Sequence, residues 1–268
     1  MGLRSAMMNP WMQVMRRVVH DPIGSYGYFA DRVIRFNRRN KPPHEYPVDH
    51  DWRSLLGVSE DDRIRTERLW PEILGTLESR GIRPGPASYL FWNDADPALV
   101  QAIWCLARRL RAAKVVETGV AHGVTSRFIL EALGERDGHL WSIDLPPRWA
   151  PEVHDEIGAA VADRSNWSLI LGPSRRCLRR LLNDIGQIDL FIHDSEHTTR
   201  NMLFEMSVAW KSLRPGGAMV VDDIDLNEAF DVFCKRVRCK ALIAKAEPIR
   251  PDPGKRRQGG LFGVALKH

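Results

Sequence analysis

The stretch Val115-Val116-Glu117-Thr118-Gly119-Val120-Ala121-His122-Gly123-Val124-Thr125-Ser126 decides how the whole chain is read. A β-branched pair runs into an acid, two glycines follow four residues apart, and Thr125 or Ser126 opens a helical pattern that reaches Leu133. Glycine allows a sharp strand-to-helix turn and a close approach of backbone to ligand. The spacing is not Gly-x-Gly-x-x-Gly, which would place a pyrophosphate on the helix N-terminus. Glu117, at the strand end, repels phosphate and attracts a cation, so the expected ligand carries an ammonium group.

Outward from this turn the pattern alternates. Strands are predicted at 115–116, 140–143, 167–171, 188–192 and 218–221, and helices at 126–133, 177–182, 200–213 and 229–237. Strands separated by helices imply right-handed crossovers and a mostly parallel sheet covered on both faces, an α/β, Rossmann-like fold. Two further strands, 241–249 and 261–266, flank a segment with Pro251, Pro253, Gly254, Gly259 and Gly260, which reads as a long hairpin giving the sheet an antiparallel edge. Upstream, Asp96-Pro97 is a helix start, with Asp as N-cap and Pro at the first helical position.

In such a sheet, ligands sit beyond the carboxyl ends of the strands, so the residues just after each strand carry the chemistry. These are the Glu117–Ser126 turn, Asp144 with Leu145, Gly172-Pro173-Ser174, Asp194-Ser195-Glu196-His197 and Asp222-Asp223. Asp144, 25 residues beyond Gly119, is placed to accept hydrogen bonds from two vicinal ribose hydroxyls. A ribose together with an amino-acid ammonium describes S-adenosylmethionine. Glu117-x-Gly119-x-x-x-Gly123, Asp144 and the downstream turn Leu213-Arg-Pro-Gly-Gly217 together resemble the class I S-adenosylmethionine-dependent methyltransferases. The resemblance covers residues 98–268 and implies a seven-stranded sheet with an antiparallel last strand. The cofactor would be held by Glu117, Gly119, Ala121, Gly123, Thr125, Ser126, Asp144, Leu145, Gly172, Ser174 and Asp194.

Asp194 and the Asp222-Asp223 pair end two strands expected to be neighbours. Three clustered anions raise one another's pKa unless a cation compensates, and a hard divalent ion, Mg²⁺ above all, fits oxygen ligands. The arrangement resembles the metal-dependent O-methyltransferases of sugars and natural products, and the cephalosporin-hydroxylase-like proteins. By position, that branch implies Asp194, Asp222 and Asp223 as metal ligands; the residues alone also allow Asp222 or Asp223 to cap the following helix, with Asp225 ligating in place of either. His197, three residues after Asp194, or Asp194 itself, is the candidate base for a substrate hydroxyl. His193 and His122 are assigned packing or cofactor contacts.

Composition narrows the alternatives. The 268 residues carry 39 Lys and Arg against 34 Asp and Glu, a charge of +5 spread among acids, so a nucleic-acid partner is not expected. Cys105, Cys177, Cys234 and Cys239 form no CxxC pair and read as reduced thiols. No signal peptide or run of about 18 apolar residues is found, so a cytoplasmic location is expected. Residues 1–97 form a separate, mainly helical extension, a lid or a homo-oligomer contact. It holds a helical pattern at Trp11, Val14, Met15, Val18 and Val19, a loop-rich stretch over 20–55 with Tyr26, Tyr28, Phe29 and Tyr46, and a helix over 60–81 begun by Ser59. This extension and the insertion 146–164 would select the substrate, a small hydroxylated molecule. Two other readings share the sequence: a hydroxylase on the same scaffold, and a non-catalytic RNA-binding module using Lys255-Arg256-Arg257.

Overall fold

The computed structural model describes residues 44–82, 96–134, 137–145, 151–247 and 260–268. The helical pattern at 11–19, Tyr26, Tyr28, Phe29 and the basic triplet at 255–257 lie outside them. Seven strands form one sheet: β1 (Lys114–Thr118), β2 (His139–Asp144), β3 (Trp167–Leu171), β4 (Ile188–His193), β5 (Leu213–Val221), β6 (Lys240–Lys245) and β7 (Leu261–Leu266). Their order is β3-β2-β1-β4-β5-β7-β6. The first five are parallel, and only β7 runs against its neighbours, β5 and β6. The antiparallel strand is therefore one position in from the edge, and β6 is the edge strand.

Among the described residues, seven α-helices surround the sheet: α1 (Trp52–Leu56), α2 (Glu60–Ser79), α3 (Pro97–Arg109), α4 (Val124–Leu133), α5 (Ser174–Ile185), α6 (Thr199–Ser212) and α7 (Ala229–Val237). Period-2 alternation along the strands sends side chains to two cores. Val115, Leu190, Ile192, Ala218 and Val220 pack with α1 to α4. Val116, Phe191, Met219 and Val221 pack with α5 to α7. Each large side chain fully buried in these layers contributes about 1.5–3 kcal/mol.

Local signals hold where they are short-range. Asp96 caps α3 by accepting from the Leu99 N–H at 3.0 Å, and Ser59 forms a capping box with Asp62. Two expectations change. Residues 213–217 are not a turn ahead of a strand but the first half of β5, with a register irregularity against β4 and Gly216 at φ +77°. The 20–55 stretch contains α1, whose Trp52 and Leu56 are buried in the same core as α3. Asp49 also hydrogen-bonds the backbone of Ile243 on β6 in both directions, at 2.8 Å. The basic residues are locally less scattered than expected: Arg175, Arg176, Arg179 and Arg180 are all exposed on α5. Among the described residues, no helix is long and apolar enough to cross a membrane.

Candidate active site

Strand order reverses between β1 and β4, the position at which a sheet of this kind forms its ligand crevice. Gly119 holds the floor of this crevice together. A side chain there would place its Cβ 1.9 Å from the Asp194 carbonyl oxygen and 2.9 Å from the Ser195 nitrogen, so only glycine lets the two loops touch. Its φ of +86° adds a second requirement for glycine. Gly119→Ala is therefore expected to cost about 2–4 kcal/mol in urea unfolding. Gly186→Ala, at a similar φ of +76° but with nothing near its Cβ, should cost only about 1 kcal/mol. Equal losses would mean that backbone strain, and not loop contact, decides the position.

The turn is pinned from β2. Asp144 Oδ2 accepts the Val120 N–H at 2.8 Å and the Ala121 N–H at 3.0 Å, and Ala121 sits at φ +52°. Gly123 caps α4 and packs on Gly158, where a Cβ would lie 2.9 Å from the Gly158 α-carbon. The described part of the 146–164 insertion is locked onto this turn: Gly158 N–H donates to Ala121 O and Ala160 N–H to His122 O, each at 2.9 Å. His122 is buried with its Nε2 3.2 Å from Glu156 Oε2.

Glu117 lies fully buried behind the turn. Its Oε2 accepts the Ser126 hydroxyl at 2.6 Å and the Ser142 hydroxyl at 2.8 Å, and Ser142 in turn accepts the Trp167 indole N–H at 3.0 Å. Its Oε1 is buried with no partner among the described residues. Burial, opposed by the two hydroxyls, pushes this carboxyl up to about 7. Such a group is incomplete without a cationic donor.

On the β4–β5 side, one ligating atom each from Asp194, His197 and Asp222 lies within 4.8 Å of the others. Asp222 N–H donates to His193 O at 2.9 Å, which sets the two strand ends side by side. Burial and then the charges of Asp223 and Glu117 hold Asp194 well above the usual carboxylate range. Burial and then Asp194 and Asp223 do the same to Asp222. Asp223 lies outside the tight trio but close to it, with Oδ2 4.0 Å from His197 Nδ1, while Asp194 Oδ1 is 3.9 Å from His197 Nε2. Asp225 Oδ1 accepts the Leu261 N–H at 2.9 Å, which engages it with β7. Asp96, read from sequence only as a cap, also raises Asp222 by its charge and is itself pushed by burial to about 6.

Sequence reasoning missed Glu205. This fully buried residue of α6 accepts from Thr118 at 2.6 Å, Ser195 at 2.9 Å and Asn201 at 2.9 Å, and pairs with His193 Nδ1 at 2.6 Å. Thr118 precedes Gly119 and Ser195 follows Asp194, so one carboxylate ties both loops of the crevice. The available signal was a lone acid on the inward face of an amphipathic helix, opposite a strand ending in histidine. His193 accordingly packs, as expected.

The remaining expected cofactor residues line the β2 and β3 ends. Leu145 is 57% exposed beside Asp144, whose register partner is Leu171. Gly172 N–H donates to Asp144 O at 2.8 Å, and Ser174 begins α5 with its hydroxyl 3.4 Å from Asn201 Oδ1. Thr125 and Ser126 are buried in the first turn of α4. The structure thus brings every expected cofactor residue to one edge of the sheet.

A family model described as a methyltransferase domain matches residues 116–224. A sequence named as an O-methyltransferase in Mycobacterium sp. (strain JLS) is 34% identical over 165 residues, 58% of this chain and 71% of that protein. Among solved structures, an O-methyltransferase from Bacillus cereus in complex with SAH superposes with a TM-score of 0.54 at 13% identity, covering 81% of this chain and 96% of that one. TomG from Streptomyces achromogenes, an O-methyltransferase involved in tomaymycin synthesis and solved with SAM, gives 0.52 at 17% identity over 81% of this chain and 93% of its own. At those identities the structures share the fold.

Proposed function

Since this chain belongs to the S-adenosylmethionine-dependent O-methyltransferases, we propose that it methylates a hydroxyl of a small molecule, a sugar or other natural product, with Mg²⁺ held by Asp194, Asp222 and Asp223. The observation that carries this reading is the acid cluster at the β4 and β5 ends, two of whose carboxyls are held far above their ordinary pKa. Burial raises them most and mutual repulsion adds to it; a divalent cation relieves both, and a hard ion selects oxygen ligands over the imidazole of His197. Across the crevice, the unpartnered Glu117 Oε1 suits the ammonium of the cofactor. When bound, the sulfonium supplies a transferable methyl group and the metal supplies acidity to a substrate oxygen.

The residues then divide the work. Asp144 and the Gly119–Gly123 turn orient the nucleoside end, and Glu117 orients the amino-acid end. His197 takes the substrate hydroxyl proton on a ring nitrogen, because Asp194 is engaged as a ligand. Leu226, 52% exposed and three residues after Asp223 in sequence, is the candidate apolar wall for the substrate. The segment 1–97 is assigned to substrate enclosure or oligomer contact, anchored on the core through α1 and α2.

Chelator is expected to abolish transfer, with Mg²⁺ restoring it. Because the ligands must lose protons to bind, calorimetry in buffers of different ionisation enthalpy should show proton release on Mg²⁺ binding. Full transfer activity in chelator would remove the metal from this reading but leave O-methylation standing.

A further inference from the structure

The active site uses none of the four thiols, and two of them sit together. Of the four cysteines, Cys105 is buried and its Sγ donates to Leu56 O at 3.1 Å, while Cys234 and Cys239 flank the carboxyl end of α7 and are half-buried. Arg238 there has the left-handed φ of +54°, and its N–H and that of Cys239, the latter at 3.3 Å, both return to the Cys234 carbonyl. This is a Schellman ending, in which the residue just past the left-handed position packs its side chain against the one five places earlier. Here both of those side chains carry thiols. Both pack against one apolar cluster with Val237, leaving part of each exposed.

Charge around the pair is mostly positive, with Asp231 the nearby anion that acts on Cys234. Lys235, Arg236, Arg238 and Lys240 are exposed around it, and of these Lys235 pairs with Asp231 at 2.8 Å. Cations beside a thiol favour its thiolate and attract anionic reagents. The two thiols also differ: a hydrogen bond between them pushes Cys234 up and pulls Cys239 down, so Cys239 is the more readily ionised of the two.

We propose that Cys234 and Cys239 form a redox-active dithiol that exchanges with anionic low-molecular-weight disulfides. The Cys239 thiolate attacks one sulfur of the reagent, forming a mixed disulfide and releasing the other half as a thiolate that takes up a proton. Cys234 then loses its proton and attacks the Cys239 sulfur, closing the internal disulfide and releasing the second thiol. Two protein thiols are oxidised and one reagent disulfide is reduced to two thiols. The pair lies at the opposite end of α7 from Asn227, whose side chain donates to His197 O at 3.0 Å, so a C234S/C239S variant should keep full transferase activity.

The test is incubation of the full-length protein with oxidised glutathione, an acid quench, intact mass measurement and peptide mapping. The expected product is lighter by two hydrogens, with the peptides of Cys234 and Cys239 linked and Cys105 and Cys177 still open to alkylation after unfolding. Cys234→Ser should trap one glutathione on Cys239, whereas Cys239→Ser should react at least about tenfold more slowly. Neutral 2-hydroxyethyl disulfide should react more slowly than glutathione disulfide, with the gap closing in high salt. A wild-type protein that accumulates glutathione adduct without an internal disulfide, or single variants of equal rate, would overturn the proposal.

Discussion

Asp194→Asn is expected to slow methyl transfer at least about a thousandfold while changing S-adenosylmethionine affinity by less than about tenfold. Asp194 joins the β4 loop to the crevice through its backbone, whose N–H donates to Thr118 O at 2.8 Å, and that contact survives the substitution. The side chain instead faces Asp222 and His197. The variant should therefore bind cofactor yet fail to hold the cation. A second consequence runs in the opposite direction. The Asp194 carboxyl is raised by burial and neighbouring charge, so without a cation the folded chain holds protons that the unfolded chain releases. Stability should accordingly fall as pH rises above the unfolded value near 3.9 toward the raised folded value. Asn removes this penalty, so the metal-free variant should melt higher than metal-free wild type at neutral pH. Mg²⁺ should raise the melting temperature of wild type and leave the variant unmoved. A variant that is inactive, destabilised and unable to bind cofactor would instead make Asp194 a structural residue.

The acids behind this result were visible early because each closes a strand. Apolar runs such as Leu190-Phe191-Ile192 and Met219-Val220-Val221 announce buried parallel strands, and a carboxylate within two residues of each, Asp194 past His193 and Asp222 at once, has few places to go but the carboxyl edge of the sheet. The glycine pair of the first turn was legible for the same local reason. What stayed hidden depends on partners distant in sequence. Trp167, Ser142, Glu117 and Ser126 form one hydrogen-bonded chain drawn from three strands and a helix. Asp96 looked like an ordinary cap because its effect on Asp222 exists only once α3 is folded against the sheet. The trio of Asp194, His197 and Asp222, tighter than the three aspartates expected, depends on backbone detail at Asp223, whose φ is +50°. The Schellman ending of α7 was invisible because arginine, and not glycine, occupies the left-handed position.

Glu205 is the clearest residue of that hidden kind, and its replacement by Leu should be among the most destabilising single changes in the chain, about 3–5 kcal/mol in urea unfolding at pH 7. The substitution removes the acceptor for Thr118, Ser195 and Asn201 and leaves His193 Nδ1 buried with nothing to pair with. Burial alone would raise the Glu205 carboxyl, but the His193 hydrogen bond and charge, with those of Ser174 and Thr118, outweigh it and hold the group at about 2. The sign follows from the depressed value: the folded chain releases a proton that the unfolded chain keeps below its own pKa near 4.3. The stabilisation is thus complete above about pH 4.5 and is lost as pH falls toward 2, a total on the order of 3 kcal/mol. Glu205→Gln keeps the shape and loses the charge, so the gap in unfolding free energy between it and wild type should be widest at neutral pH and narrow steadily between pH 4.5 and 3. A gap that stays constant over that range would mean that packing, and not the buried carboxylate, ties the two loops together. Because those loops carry Gly119 and Asp194, the Gln variant should also bind S-adenosylmethionine more weakly under conditions where it remains fully folded, which calorimetry at pH 7 would read directly.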